Sequence, residues 1–225
     1  MKISEYISLG LKDLDPKYVR YVKKRRVNSN TSLDFYSWVS PAVSSPCKNF
    51  STQFGRNGEK LRNFMLIPVY SLKGKIIGFE ARSLNKDGSK FVRQYRTPEA
   101  QWSPYFLNAK TAVETLWQGG DIWVVEGLFD LTALESVVPS CDTVISTLRA
   151  GMDSNSFETI CRFYSKISTI YFVYDNDETG RKKSEMLCNL FNQRGVRAVN
   201  WKYRGKDPNE VLCKGGLKTM KRMFL

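Results

Sequence analysis

From residue 122 onward, short β-branched or aromatic runs alternate with helical stretches, and the connections between them are short. Strand patterns at 122–125, 143–146, 170–174 and 196–201 are each followed by a helical pattern, at 128–137, 155–164, 179–194 and 210–224. Such connections permit only right-handed crossovers between parallel strands. This half is therefore expected to be a doubly wound parallel α/β unit. Ligands of such a sheet bind in the crevice beyond the carboxyl ends of its strands.

The first half carries a different pattern. Residues 4–26 read as one or two short helices, with Asp15 as N-cap and Pro16 in the first turn. Residues 27–63 are polar and rich in turns, with a short helix expected near 33–38. Residues 64–70 and 75–82 read as a β-hairpin turning at Lys73-Gly74. From 86 to 108 basic and aromatic residues alternate: Lys90, Phe91, Arg93, Tyr95, Arg96, Trp102, Tyr105 and Phe106. That mixture can contact phosphates and stack bases, or can be ordinary packing plus solvated charge; aromatics flanked by turns, such as Tyr95 and Trp102, are more often core. The fold class expected is α/β, with a basic α+β subdomain over 1–110 and a parallel α/β subdomain over 111–225.

Composition removes several chemistries. The 225 residues contain no His, which excludes Ser-His-Asp triads and His general bases. The five cysteines (47, 141, 161, 188, 213) form no Cys-x-x-Cys pair, so no zinc finger or ribbon is expected in this chain, and they read as reduced core thiols. No apolar run approaches the roughly 18 residues of a membrane span, and no targeting pattern opens the chain. The expectation is a soluble, cytoplasmic protein without a membrane partner. The net charge of +13 is concentrated in residues 1–110, where 20 Lys/Arg face 8 Asp/Glu. A polyanionic partner accounts for that asymmetry, and so does simple solubility.

Acids stand at the expected strand ends. Glu126-Gly127 follows the run at 122–125, and Asp175-Asn176-Asp177 follows the run at 170–174. Asp130 lies four residues after Glu126, and Asp207 falls after the strand ending at Trp201. Singly, each such acid is most often a helix cap. Converging together they repel unless a cation neutralises them, and an all-oxygen donor set suits magnesium or manganese. A calcium loop beginning at Asp175 fails, because its twelfth position is Met186 and a strand precedes it.

Taken in order, Glu126-Gly127-Leu128-Phe129-Asp130, Tyr174-Asp175-Asn176-Asp177-Glu178-Thr179-Gly180-Arg181 and Lys206-Asp207-Pro208-Asn209-Glu210 resemble the Toprim motifs of DnaG-type bacterial and phage primases. Upstream, 65–69, 78–84 and 93–99 resemble the basic subdomain that precedes Toprim in that family. The resemblance covers about residues 60–224 and implies a DNA primase catalytic core making short RNA primers on single-stranded DNA from ribonucleoside triphosphates. It implies Glu126, Asp175 and Asp177 as catalytic metal-holding residues, with Asp130 and Asp207 supporting, and two magnesium or manganese ions. Arg62, Arg82, Arg93, Arg96 and Lys206 would face nucleotide phosphates or template. The family's zinc-binding and helicase-associated modules are missing from the pattern. That suits a minimal, phage-like form whose zinc-containing protein and replicative helicase are separate partners in the bacterial cytoplasm. Asn209 stands where many relatives have a second aspartate, and 146–151 departs from the family's usual loop. A Toprim metal-dependent nuclease, or a non-catalytic single-stranded-DNA-binding replication accessory protein, would carry the same acids, and both alternatives stay open here.

Overall fold

The computed structural model describes residues 1–84, 90–149, 151–163 and 165–225. Two sheets organise it. The first is antiparallel, in the order β1 (Leu11–Lys12), β2 (Tyr36–Trp38), β3 (Met65–Tyr70), β4 (Ile76–Leu84), β5 (Lys90–Arg96). The second is parallel, in the order β7 (Thr143–Ser146), β6 (Gly120–Val125), β8 (Ile167–Phe172), β9 (Ala198–Asn200). Starting at β6 and leaving in both directions is the doubly wound pattern expected of the second half.

Helices α1 (Ile3–Gly10), α2 (Pro16–Lys24) and α3 (Lys48–Phe54) accompany the antiparallel sheet. Asp15 caps α2 as expected, its carboxylate accepting from the Lys17 N–H at 3.0 Å, with Pro16 in the first turn where no N–H is needed. The hairpin β3–β4 turns at Gly74, whose φ of 72° places it in the left-handed region. Pro68 sits inside β3 without breaking the ladder. The neighbour on its other side, β2, pairs only with Met65 and Leu66, so at Pro68 that edge lacks a partner and no N–H is missed.

The expected helix near 33–38 is instead β2, whose Ser37 and Trp38 are buried. Its pairing partner lies some distance away in sequence, and local polarity hides a strand specified by tertiary contact. The turn-rich 27–63 stretch also holds α3, seated by Phe50 and Phe54. Helix α4 (Ala109–Gln118) was not legible either, and the expected boundary at 110 falls within it. Of the alternating basic-aromatic stretch, Lys86 lies outside the described residues, as do the side chains of Lys90 and Phe91. Tyr95 is core, whereas Trp102 is 81% exposed, contrary to the expectation that such aromatics are core.

In the second half, α5 (Leu128–Glu135), α6 (Ser154–Arg162), α7 (Glu178–Gln193) and α8 (Pro208–Phe224) follow the expected order. The last is broken at Gly216, where φ is 70°, rather than continuous. Helix α5 is buried from Leu128 through Leu134, so its apolar residues lie all round its axis rather than on a stripe. It packs on α8, β6 and β7. One apolar cluster joins it to Met65, Ile67, Val69 and Ile77 of the antiparallel sheet, so the two sheets share a core. Among the described residues no helix is long and apolar enough to cross a membrane.

The other face of the antiparallel sheet is an aromatic cluster centred on Phe50, whose ring lies 5.2–6.4 Å from those of Tyr6, Trp38, Phe54, Phe79 and Tyr95. Phe50→Ala removes the centre of that cluster and is expected to cost about 3–5 kcal/mol. Urea unfolding checks this, and a loss below about 1 kcal/mol would mean that the cluster is loosely packed.

Candidate active site

Every acid picked out in the sequence lies at the carboxyl edge of the parallel sheet. Glu126 follows β6 directly and Asp175 follows β8, while Asp177 and Asp207 are the N-caps of α7 and α8. The Asp177 carboxylate accepts from the Gly180 N–H at 2.8 Å, and that of Asp207 from the Glu210 N–H at 2.7 Å. The capping role is therefore real for both. Each accepts its cap hydrogen bond through Oδ1.

Glu126 and Asp175 are neighbours across adjacent strands: the Asp175 N–H donates to Glu126 Oε1 at 3.2 Å. Gly180 makes that approach possible, because a Cβ there would collide with the Asp175 carbonyl and lie 2.9 Å from Glu126 Oε1. Gly127 similarly leaves room for the carboxylate of Asp130. Asp130 itself is only 8% exposed, in the first turn of α5, and accepts from the Asn209 N–H at 3.0 Å.

Crowding shows in the protonation equilibria. Burial, then the Asp175 and Asp177 charges, raise the Glu126 carboxyl to about 7, against a contrary pull from the Asp175 N–H. Burial and the Asp207 charge raise Asp175, with Lys206 opposing. Burial and the Asp207 charge also raise Asp130. The Tyr203 phenol is pushed up by burial and then by Asp130, Asp175, Asp207 and Glu126, so these four acids surround one locality. Its hydroxyl donates to the Tyr174 carbonyl at 2.9 Å, tying the loop after β9 to the loop after β8. The Asn176 N–H donates to the Lys206 carbonyl at 2.7 Å in the same clamp.

Among the described residues, no three acid, Cys or His side chains form a ready-made metal centre. The donor chemistry nevertheless fits a hard divalent cation: the acids are all-oxygen ligands, and burial with mutual repulsion raises the carboxyls of Glu126, Asp130 and Asp175.

The basic residues divide. Arg82 is brought to the site: its guanidinium lies 5.1 Å from the ring of Phe129, next to Asp130, and pairs with the buried Glu80. Lys206 lies beside Asp175. Arg93 opposes Ala81 in the β4–β5 ladder, whereas Arg82 opposes Val92, and alternation puts the two arginines on opposite faces. Arg93 faces α3, where it donates to the Gln53 carbonyl at 3.4 Å. Arg96 shares the Arg82 face but stacks 3.8 Å over the Tyr105 ring. Arg62 is exposed and donates to Ser40 Oγ at 3.2 Å.

Sequence reasoning missed Arg25. Its guanidinium stands 5.0 Å from the Phe129 ring and donates to Asn209 Oδ1 at 2.9 Å, while Asn209 Nδ2 donates back to the Arg25 carbonyl at 2.9 Å. The basic run after α2 was the available signal, although nothing local selects Arg25 from it. Residues 147–149, directly after β7, are also part of this edge. Leu148 holds a left-handed φ of 61°, and its carbonyl accepts from Gln94 Nε2 at 3.0 Å.

Residues 123–212 match the Toprim-like family. DNA primase of Aquifex aeolicus (strain VF5) is 26% identical over 162 residues, covering 71% of this chain and 32% of the relative. DNA primase of Rickettsia typhi (strain Wilmington) is 25% identical over 228 residues, covering 90% and 37%. The chain thus spans about a third of the length of the curated relatives it matches. The crystal structure of Aquifex aeolicus primase, zinc-binding and RNA polymerase domains, superposes with a TM-score of 0.67 at 20% identity, over 93% of this chain and 55% of that one. The DnaG catalytic core superposes with a TM-score of 0.64 at 16% identity, over 98% and 75%. The segment from 123 to 212 is similar to Toprim-like domains. With the antiparallel sheet set before it, the chain has the architecture of a DnaG-type Toprim primase core.

Two outcomes test the site. A carboxyl raised from 4.5 to about 7 in the folded state carries no penalty below pH 4.5, a growing one up to pH 7, and its full penalty above. In metal-free buffer Glu126→Gln is therefore expected to stabilise the fold at pH 8 by about 1–2 kcal/mol after solvent screening, and to change little at pH 4.5. Chemical denaturation at both pH values checks the sign. Gly180→Ala is expected to destabilise by about 1–3 kcal/mol, because the added methyl meets backbone rather than a yielding side chain. An unchanged melting temperature would show that α7 approaches Asp175 less closely than described.

Proposed function

We propose that this chain is a primase catalytic core that synthesises short RNA primers on single-stranded DNA by metal-assisted nucleotidyl transfer. The observation that carries the proposal is the joint one: Glu126, hydrogen-bonded by the Asp175 N–H, stands with Asp130 and the capping Asp177 and Asp207 at the carboxyl edge of the Toprim-like sheet, and Arg82 is carried to the neighbouring Phe129 by the preceding antiparallel sheet. Similarity to primases over both halves supports this reading over a stand-alone Toprim nuclease. A related DnaG catalytic domain has been solved bound to single-stranded DNA, with a TM-score of 0.58 at 17% identity, and that supports the template class.

Toprim primases are metal-dependent as a class. Here Glu126, Asp175 and Asp177 would hold magnesium or manganese, with Asp207 alongside. Bound divalent ions supply a lowered pKa for the attacking 3′-hydroxyl and stabilise charge on the α-phosphate and the pyrophosphate leaving group. The chain's own groups do the rest. Asp130, buried and bonded to the Asn209 N–H, fixes the start of α8 and hence the Asp207 cap. Gly180 lets α7 bring Asp177 up to Glu126. Arg82, Arg25 and Lys206 provide cations for triphosphate and DNA backbone, giving salt-sensitive binding with little sequence readout. Arg62, Arg93 and Arg96 stand away from the acids in this conformation, so their part in the proposal is contact with template along the basic half. A zinc-containing protein and a replicative helicase are proposed as partners.

The alternative is an accessory reading, in which the site is vestigial. The two readings separate on a gel. With single-stranded DNA, labelled ribonucleotides and manganese, the wild type is expected to yield short oligomers that Asp175→Ala and Asp177→Ala do not. Shortened DNA in place of new oligomers would establish the nuclease. Absence of any product, even from a preformed primer, together with manganese binding unchanged by these substitutions, would establish the accessory role.

A further inference from the structure

Trp102 is 81% exposed, the most exposed large apolar side chain described. It stands at the end of the 3-10 turn Pro98–Trp102, which follows β5. Trp117 is also exposed but packs edge-on against Phe163 at 5.6 Å, whereas Trp102 has no ring partner among the described residues. An indole left in water without a partner sacrifices the burial that its size ordinarily secures.

Trp102 borders a groove of about 590 Å³ formed by the β3–β4 turn, the 3-10 turn and α6. Four cations line the groove (Lys2, Lys73, Lys75 and Arg162) against one acid, Glu99. Among the described residues, none of the four cations has a carboxylate within 4.0 Å. Unneutralised cations of one sign around a bare aromatic face match a chain of phosphates carrying stackable bases. A groove for an apolar peptide would not concentrate charge in this way.

The groove is distinct from the acid crevice. Arg162 ends α6, and β8 begins five residues later at Ile167, so Arg162 lies toward the amino edge of the parallel sheet. None of Glu126, Asp130, Asp175, Asp177 and Asp207 lines the groove.

We propose that this groove is a second binding site for single-stranded nucleic acid, in which a base stacks on Trp102 and neighbouring phosphates meet Lys73, Lys75, Lys2 and Arg162. The site is independent of the catalytic reading: it binds without metal and without intact acids. Because aromatic stacking tolerates any base, the site is sequence-indifferent and salt-sensitive.

Fluorescence anisotropy with a labelled oligo-dT in EDTA tests the proposal on the full chain. Trp102→Ala is expected to weaken binding about tenfold and Trp102→Phe to restore most of it, since the face and not the indole N–H is used. Lys73→Gln with Lys75→Gln is expected to lower the slope of log affinity against log salt by about 1.4. Asp175→Ala should leave all three results unchanged, which separates this site from the acid crevice. The positions are exposed, so circular dichroism and melting temperature should match wild type for each variant. Affinities of both the Trp102→Ala and the double-lysine variant within twofold of wild type would overturn the proposal, as would binding that vanishes in EDTA.

Discussion

Helix α5 is enclosed on every side, and much of the molecule follows from that. Its burial from Leu128 to Leu134 obliges the parallel sheet, α8 and the antiparallel sheet to pack around one element. An acid in the first turn of such a helix, Asp130, cannot be solvated and must be satisfied from within. The Asn209 N–H does this, and the same Asn209 side chain exchanges two hydrogen bonds with Arg25. One buried carboxylate thereby fixes the start of α8 and, through Asn209, the basic end of α2. An aspartate at 209 would keep the backbone contact but place a second charge beside Asp130; Asn209 instead offers both a donor and an acceptor to Arg25.

The acid edge is costly to assemble. Glu126, Asp130 and Asp175 all hold their protons more tightly than isolated carboxyls do, because burial and mutual repulsion act in the same direction. Parallel strands supply the rigidity that keeps them together, since each acid is anchored by backbone at a strand end or helix start. A divalent ion would convert that repulsion into attraction, which is why such a crowded arrangement is more readily understood as a binding site than as a stabilising feature.

Charge in the basic half is distributed to more than one place. Strand alternation sends Arg82 toward Phe129 and Arg93 toward α3, so residues on adjacent strands of the same ladder serve different faces. Lys73, Lys75 and Trp102 lie on a third region, away from the acids. A strongly positive half-chain can therefore present separate surfaces to a polyanion.

The parallel sheet, the four helices that follow its strands and the strand-end positions of Glu126, Asp175, Asp177 and Asp207 were all legible in the sequence, because strand and helix periodicities are local and an acid directly after an apolar run has only one place to go. The Asp15-Pro16 cap and the hairpin at Gly74 were legible for the same reason: turn and cap chemistry acts over a few residues. Tertiary structure alone decided that 36–38 is a strand, since its partner is β3 and not its neighbours in sequence. It alone placed Arg25 against Asn209, through contacts spanning 184 residues, and left Trp102 in water while burying Tyr95. Which basic residue reaches a site, and which aromatic stays exposed, depends on the register and facing of strands that pair at long range. No local pattern encodes that.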